Sequence, residues 1–422
     1  MAYLIGAHPA YCKDLGCPSL GHIPGIWSKD WTPEVEAIDY LVAKGTGRWF
    51  FDNLKSSYGT RVVLSSNSML AFGQDLTNFL DWCDWRRVNW RELSHGQLTE
   101  KYQGDMTSGR WSRLHKGKAL SPSTINRRMG TVVDFQRFAA HHGYRGPFKV
   151  ETRDVLTPRY DPRRRNAEQR VGKVRQHPTY LRLPTMEEIA SWLTELKATR
   201  GRTAYFLAKT AVGIGLRPQE VLLLRREQVP DLPTKQAKTA KMEICYGTKG
   251  GRDPQDPEKR GKKRIVRVPI ELLKDLHDYI TGHRKLCLRR FEQINPLDPA
   301  PKELFLSKYT GRPLGYDRFY EMWKSPKSLP FKAFSPHLAR HIWACYTLVE
   351  KNHEQNELIR GTHGSLSSIS DQLHETLIRT WISPQLGHVD DRTSGMYLVW
   401  VNEYLDLQKH HASWWDYLNE QI

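Results

Sequence analysis

Residues 149–182 divide the chain, because the apolar repeats on either side of them stop there. The segment is rich in arginine, including Arg163, Arg164 and Arg165, and prolines interrupt it. Proline cannot continue a helix or a central strand. A basic segment of this kind between two periodic regions is typical of an inter-domain linker. The chain has 422 residues, too many for one hydrophobic core, so we expect two or three domains.

The region before this linker, residues 63–148, predicts a small helical domain. One helix is indicated from about Ser66, and a second follows the cap-like pair Ser121-Pro122 and ends near Gly143. The apolar residues assigned to one face of the first helix are Leu70, Leu76, Phe79, Leu80 and Cys83. Residues 1–62 predict little beyond a helix near 33–42. We treat them as an N-terminal extension of unknown role, with an arm contacting DNA or another protomer as one interpretation.

The region after the linker, residues 183–405, predicts a mixed domain. Thr185 followed by Glu187-Glu188 marks a helix start. Residues 241–246 and 264–270 alternate apolar and polar side chains, which favours a β-hairpin. The expected fold class is therefore mainly α with a small β-hairpin: a helical domain followed by a mixed α/β domain. Residues 406–422 form a C-terminal tail that fits docking on a neighbouring protomer or packing on its own domain equally well.

The charge of the chain points to a polyanionic partner. Lys and Arg total 64 against 46 Asp and Glu, a net charge of +18. Nucleic acid is the first candidate partner and an anionic membrane surface the second, while a merely soluble basic protein is the plain alternative. Six scattered cysteines do not form a disulfide framework. The first residues lack a signal-peptide pattern and no apolar run is long enough to span a bilayer, so we expect a cytoplasmic protein without membrane contact, on the nucleoid if the source is bacterial.

A zinc site near the N-terminus is a weak alternative. His8, Cys12, Cys17 and His22 are all zinc-ligating residue types, but their spacing matches no familiar finger and the intervening Pro and Gly are typical of a loop. We therefore expect no metal.

The most informative string is residues 213–220, Gly-Ile-Gly-Leu-Arg-Pro-Gln-Glu. Pro218 suits the first position of a helix and biases Arg217 away from helical geometry. This predicts Arg217 at a helix start beside free backbone N–H groups, a posture suited to binding phosphate. Taken alone, the string would fit a capped surface arginine better.

Three later strings accompany it. Residues 335–341, Ser-Pro-His-Leu-Ala-Arg-His, predict another helix start at which His337 and Arg340 share one face. Leu-Gly-His follows at residues 386–388, and Tyr397 comes nine residues after His388.

In this order, the strings resemble the motifs of the tyrosine recombinase (phage integrase) family. The family's first arginine motif matches residues 215–220, and its His-x-x-Arg box matches His337 and Arg340. Its Leu-Gly-His motif ends at His388, and its nucleophile falls on Tyr397. The family's hairpin lysine matches Lys249, with Lys259, Lys262 and Lys263 as nearby alternatives.

The resemblance covers about residues 63–405. The helices of residues 63–148, with Asn126, Arg127 and Arg128, look like the family's core-binding domain. The separation from His337 to His388 is 51 residues (388 − 337), wider than the family usually shows. We therefore interpret part of 351–376 as an insertion.

The resemblance implies a site-specific recombinase that cleaves and rejoins DNA through a 3′-phosphotyrosyl link to Tyr397. Phosphodiester transfer adds negative charge to the non-bridging oxygens, which Arg217 and Arg340 would stabilise. His337 is the candidate base for the tyrosine hydroxyl. His388 would donate a hydrogen bond to the phosphate, and Lys249 would protonate the leaving 5′ oxygen. ATP is not expected, because the covalent link conserves the bond energy. Neither a metal nor another cofactor is expected, because the arginines would replace a Lewis acid.

The partners implied are double-stranded recombination sites, with four protomers exchanging strands on two sites through a Holliday junction, and accessory proteins as further candidates. The expected DNA contacts, besides the active site, are Asn126, Arg127, Arg128, Arg163, Arg164 and Arg165. Integration, excision or transposition of a mobile element would be the outcome. Two alternatives stay open: a type IB topoisomerase that relaxes DNA, and a catalytically silent DNA-binding regulator on the same scaffold.

Overall fold

A computed structural model describes most of the chain. The described residues are 2–49, 63–112, 117–155, 167–176, 181–233, 237–248, 261–360, 376–387, 396–397, 399–401 and 404. The chain divides into two compact units, Met1–Pro178 and Thr179–Arg252 with Glu258–Ile422. The boundary between Pro178 and Thr179 lies inside the segment 149–182.

The first unit is mainly helical, with two small antiparallel sheets. Its elements are β1 (Tyr3–Ile5), α1 (Pro9–Asp14), β2 (Gly25–Trp27), α2 (Val35–Gly45), α3 (Ser66–Arg86), α4 (His95–Gln97) running on through a π-helical segment (Leu98–Gln103) into α5 (Gly104–Thr107), α6 (Pro122–His141), β3 (Thr152–Val155) and β4 (Ala167–Arg170). Strand β1 pairs with β2, and β3 pairs with β4.

The two predicted helices, α3 and α6, are both present. Helix α6 begins after Ser121, whose hydroxyl accepts a hydrogen bond from the Thr124 N–H at 3.3 Å. The predicted buried face of α3 is correct except at Leu70, which is 42% exposed while Met69 is fully buried. The reason is the helical period: Met69 precedes Leu76 by seven residues, two full turns, whereas Leu70 is rotated by about 100° from that line.

Residues 2–49 belong to this unit rather than forming a separate arm. Ile26, Tyr40 and Leu41 are fully buried in the same core as the residues of α3 and α6. The buried carboxylate of Asp134 on α6 accepts hydrogen bonds from the Tyr40 hydroxyl at 2.8 Å and the Trp49 indole at 3.1 Å. The expected division at residue 62 therefore does not separate a domain, although residues 50–62 lie outside the described part of the chain.

Part of the expected linker is also structured. Thr152–Val155 pairs antiparallel with Ala167–Arg170, so the described residues between 149 and 176 form a hairpin of the first unit. The side chain of Asn126 on α6 binds the segment that follows β4. It accepts a hydrogen bond from the Val174 N–H at 2.9 Å and donates one to the Val174 carbonyl at 2.8 Å. Such short, polar strands carry no apolar alternation for sequence reasoning to detect. Arg163, Arg164 and Arg165 lie outside the described residues.

The second unit contains the predicted β-hairpin among helices. Its elements are α7 (Met186–Arg200), α8 (Arg202–Ile214), α9 (Pro218–Leu222), β5 (Thr239–Ile244), β6 (Arg264–Pro269), α10 (Ile270–Tyr279) running on through a π-helical segment (Ile280–Arg284) into α11 (Lys285–Ile294), α12 (Tyr316–Lys324), α13 (Leu338–Arg360), a π-helical segment (Ile378–Ile382) and α14 (Ser383–Leu386). The capping box predicted at Thr185 is present, since Thr185 and Glu188 exchange side-chain-to-backbone hydrogen bonds. Thr239 pairs with Pro269 and Ile244 with Arg264, which sets the register of the hairpin.

Two apolar clusters stabilise this unit. The larger one contains Trp192 and Trp323, whose rings lie 4.4 Å apart, together with the inward side chains of β5 and β6. The smaller one joins α13 to α14 and includes Leu348, Leu386 and Tyr397. Tyr397 thus packs in an apolar cluster with residues of α13, which are distant from it in sequence. In the described part of the chain, no helix is long and apolar enough to cross a membrane.

Candidate active site

Arg217 is the N-cap residue of α9, and it pairs with a carboxylate in the first turn of that helix. Its Nη1 lies 2.7 Å from Glu220 Oε1, and its backbone N–H donates to Glu220 Oε2 at 2.8 Å. The sequence interpretation placed Arg217 beside free N–H groups, but its own N–H is occupied in this way. The side chain of Arg217 is 19% exposed whereas that of Glu220 is fully buried, so the guanidinium alone reaches the surface of the pair.

Glu220 is shared by a second arginine, Arg264, from the first position of β6. Arg264 Nη1 and Nη2 contact the two oxygens of Glu220 at 2.5 and 2.7 Å. Burial alone would raise the pKa of Glu220, but the hydrogen bonds and charge of Arg264, and then the charge of Arg217, outweigh it and hold that pKa below its usual range. Glu220 is therefore an ionised carboxylate inside the fold.

Arg340, in the first turn of α13, is a third arginine near this carboxylate, and it is buried. Its Nη1 donates to the Gly215 carbonyl at 3.3 Å and its Nη2 donates to the Leu386 carbonyl. Burial, followed by the positive charge of Arg217, lowers the pKa of Arg340 to about 9. The side chain is still cationic at neutral pH, but its cation is destabilised and would gain from a nearby anion.

Tyr397 lies within reach of these charges. Its side chain is fully buried, and this burial raises the pKa of the hydroxyl well above its ordinary value. The charges of Arg340 and Arg217 act in the opposite direction and lower that pKa. Because such effects weaken with distance, the fold has brought Arg217, Arg340 and Tyr397 into one electrostatic environment.

The ring of His341 packs on that of Tyr397, with ring centroids 5.6 Å apart. Burial, then the charges of Arg340 and His337, lower the pKa of His341 to about 4, so its ring is neutral at physiological pH. His337 itself is exposed, lies in the turn before α13 and contacts the Tyr316 ring at a centroid distance of 6.2 Å. His337 is the residue immediately before α13, in the hydrogen-bonded turn that leads into it, and the expectation that it shares one face with Arg340 stays a prediction.

Two expected catalytic residues, Lys249 and His388, lie outside the described residues; the residues that flank Lys249 in the hairpin are described. Gly247 has φ +70°, and a Cβ there would lie 2.6 Å from the Gln219 carbonyl oxygen, so this turn rests directly against α9. Gly261 lies shortly before β6, and its N–H donates to the Cys245 carbonyl, just after β5, at 2.6 Å. Of the alternative lysines, Lys263 pairs with Glu243 at the surface.

The expected DNA-binding residues of α6 have internal partners. Asn126 holds Val174, as described above. Arg127 Nη1 lies 2.7 Å from the buried carboxylate of Asp75, and Arg128 Nη1 donates to the Asn78 side chain at 3.0 Å. These contacts give all three residues a structural role that the sequence did not indicate.

Sequence reasoning also missed Arg264 and Gln385 and gave Glu220 no role. The position of Glu220 in the first arginine motif, three residues after Arg217, was the feature that could have indicated its role. Arg264 and Gln385 carried no signal of their own. Among the residues that the structure describes, no group of three or more His, Cys, Asp or Glu is placed to hold a metal ion.

Comparison with solved structures identifies the fold. The chain matches a XerH site-specific recombinase, bound to its palindromic difH substrate in a post-cleavage complex, with a TM-score of 0.50 and 16% identity over 83% of this chain and 81% of that chain. A Tn1549 transposon integrase in complex with circular intermediate DNA is similar at a TM-score of 0.46 and 14% identity, over 81% of this chain and 91% of that one. A lambda integrase dimer bound to a COC′ core site gives 0.44 and 12%, over 82% and 91%.

No protein-family model matches the sequence, and comparison with curated proteins gave no match. At 16% identity, the similarity to the XerH recombinase is one of fold. It agrees with the fold class expected from the sequence: the chain has the fold of a tyrosine recombinase.

Proposed function

We propose that the chain belongs to the tyrosine recombinase family and cleaves and rejoins DNA through a covalent 3′-phosphotyrosyl link to Tyr397. One observation carries the proposal. The guanidiniums of Arg217 and Arg264 pair with the ionised carboxylate of Glu220, and a third guanidinium, that of Arg340, interacts electrostatically with Arg217, Glu220 and the buried Tyr397. The cluster has an excess of positive charge in a largely buried place, and an anion such as a phosphodiester would compensate it.

The chemistry follows from the charges. Attack by the Tyr397 oxygen forms a phosphorus–oxygen bond and breaks the bond to the 5′ oxygen, while negative charge grows on the non-bridging oxygens. Arg217 and Arg340 stabilise that charge. The same two residues favour the tyrosinate, because they already lower the pKa of Tyr397 against the effect of burial.

Proton transfers complete the reaction. We assign the acceptance of the tyrosine proton to His337 and the protonation of the leaving 5′ oxygen to Lys249. His388 donates a hydrogen bond to the phosphate. The reverse attack by a 5′ hydroxyl releases Tyr397 and restores the phosphodiester, so the cycle balances without an external energy source.

The partner is double-stranded DNA, in keeping with the net charge of +18. We extend the proposal to four protomers that exchange strands on two recombination sites through a Holliday junction, with residues 406–422 serving assembly. The outcome is the integration, excision or transposition of a mobile element. Arg163, Arg164 and Arg165 would contact the phosphate backbone.

The test is Tyr397→Phe, with Tyr404→Phe as its matched control, because Tyr404 lies seven residues further on and is 56% exposed. Nicked suicide duplexes made from the DNA that borders the gene would trap the covalent complex of the wild-type protein. We expect Tyr397→Phe to bind these duplexes and form no complex, while Tyr404→Phe forms it as the wild type does. Peptide mapping of DNA to Tyr404 or to a serine would refute the assignment. A wild-type protein that binds these duplexes and never becomes attached would favour the silent regulator, and relaxation of supercoiled DNA by single protomers would favour the topoisomerase.

A further inference from the structure

The side chain of Arg264 has all three nitrogens engaged inside the second unit. Nη1 and Nη2 contact Glu220, and Nε donates to the backbone carbonyl of Gln385 at 2.8 Å. The side chain is only 10% exposed. An arginine whose nitrogens all have protein acceptors is better suited to fastening structure than to binding a phosphate.

The two ends of this contact lead to different parts of the candidate site. On one side, Glu220 also accepts the two hydrogen bonds from Arg217 described above, so its carboxylate links Arg264 to Arg217. On the other side, Gln385 and Leu386 are the last two residues of α14 and Gly387 caps it; we refer to residues 385–387 as the turn, and His388 is the next residue in the sequence. Gly387 has φ +61°, and a Cβ added there would lie 3.0 Å from Arg264 Cδ, so the stem of the arginine lies against this turn.

The turn is held from two further directions. Arg340 donates to the carbonyl of Leu386, one residue after the carbonyl that Arg264 binds. The Gln385 side chain accepts from the Arg267 N–H at 2.7 Å and donates to the Arg267 carbonyl at 3.1 Å, which ties the turn to β6. Arg264 also binds the carboxylate of Glu220, which is the partner of Arg217.

We infer that Arg264 is a positioning residue: it fixes the turn of residues 385–387, which precedes His388 in the sequence, relative to Arg217. The inference rests on the proposed function for its reaction. The planar guanidinium of arginine suits this role, because two of its nitrogens bind the carboxylate while Nε binds the carbonyl. Lysine has a single nitrogen and cannot span both acceptors in this geometry.

The experiment compares Arg264→Lys with Arg267→Lys in the full chain. Arg267 lies on the same strand and is exposed; its side chain lies over the Trp381 ring and takes no part in the carboxylate cluster. Arg264→Lys keeps a positive charge beside Glu220, which protects folding. We expect the single-turnover cleavage rate at saturating suicide duplex to fall about 100-fold, as for a misplaced reacting group, with DNA affinity and the fraction of active protein unchanged. A role in folding alone would lower the active fraction instead of the rate. Arg267→Lys should cleave at the wild-type rate.

A second measurement does not depend on cleavage. The Gly387 N–H donates to the Pro384 carbonyl at 3.3 Å, so hydrogen exchange of residues 385–387 reports on the turn in the protein without DNA. We expect at least tenfold faster exchange in Arg264→Lys and no change in Arg267→Lys.

The two measurements separate the possible failures. If the wild type forms no covalent complex but hydrogen exchange at the turn depends on Arg264, then Arg264 does stabilise the turn and the proposed function is wrong. If Arg264→Lys cleaves at the wild-type rate, or loses cleavage while the turn exchanges normally, the positioning role is refuted. If Arg264→Lys and Arg264→Met both fail to fold, Arg264 is a stability residue and the inference is also wrong.

Discussion

Replacement of Glu220 by glutamine tests the charge balance of the arginine cluster. The carboxylate is fully buried and accepts four hydrogen bonds, two from Arg217 and two from Arg264. Glutamine has nearly the same shape but no charge, and its NH₂ group would face arginine donors. The three arginines would then repel one another without a compensating anion.

The magnitude follows from the burial of this carboxylate. Breaking a buried ion pair by neutralising one partner typically costs about 3–5 kcal/mol. We expect Glu220→Gln to lower the free energy of unfolding by about that amount. The matched control is Glu243→Gln, because Glu243 pairs with Lys263 at 3.5 Å with both side chains about half exposed, and such a pair contributes less than about 1 kcal/mol.

The assay is urea unfolding of the full chain, followed by the fluorescence of buried tryptophans such as Trp192 and Trp323 in the second unit. The pKa of Glu220 is held below its usual 4.5, so its contribution is fully present above pH 4.5 and is lost as the pH falls through the folded-state value. The gap between wild type and variant should therefore be constant above pH 4.5 and narrow below it. If the two Gln variants lost equal stability at pH 7, or if the gap did not depend on pH, the buried carboxylate would not hold the cluster together.

Three further predictions concern other parts of the chain. Folding lowers the pKa of His341 from 6.5 to about 4, so the free energy of unfolding should decrease by up to about 3 kcal/mol as the pH falls from 6.5 towards 4. His341→Gln should flatten this part of the plot of unfolding free energy against pH, and an unchanged slope of that plot would contradict the buried neutral ring. Asn126→Ala removes both hydrogen bonds to Val174 and should cost about 1–2 kcal/mol, with faster hydrogen exchange of the Val174 amide; unaltered exchange would disprove the anchoring role. Neutralising residues 163–165 should reduce the slope of log affinity against log salt by up to about 3 for duplex DNA without altering sequence preference; an unchanged slope would remove these arginines from the interface.

Local chemistry made part of the fold predictable. Ser121 and Thr185 mark helix starts because their hydroxyls accept hydrogen bonds from N–H groups three residues later, an interaction contained within one turn. The hairpin of β5 and β6 was predictable because its side chains alternate. The packing of residues 2–49 on α6 was not, because it depends on Asp134, 94 residues from Tyr40 in the chain.

The same distinction applies to the candidate site. The motifs located Arg217, Arg340 and Tyr397, and the fold gives them a common electrostatic environment, while their catalytic roles stay predictions. The second partner of Glu220, Arg264, could not be predicted from the motif. It lies 44 residues away in the sequence and is held on β6 by the pairing of that strand with β5. His341 was visible in the sequence, but its contact with Tyr397 depends on how α13 packs against the C-terminal residues.

The close approach of Gly247 to α9 has a consequence for engineering the protein. Gly247 and Gly261 stand at the base of the segment between β5 and β6, where an added Cβ at Gly247 would collide with the Gln219 carbonyl and one at Gly261 would overlap Thr248 Oγ1. Both of these positions are therefore fixed by the body of the unit. A side chain at Gly247 would displace the start of α9 and one at Gly261 would displace the Thr248 hydroxyl, so an engineered variant of this hairpin should keep both glycines.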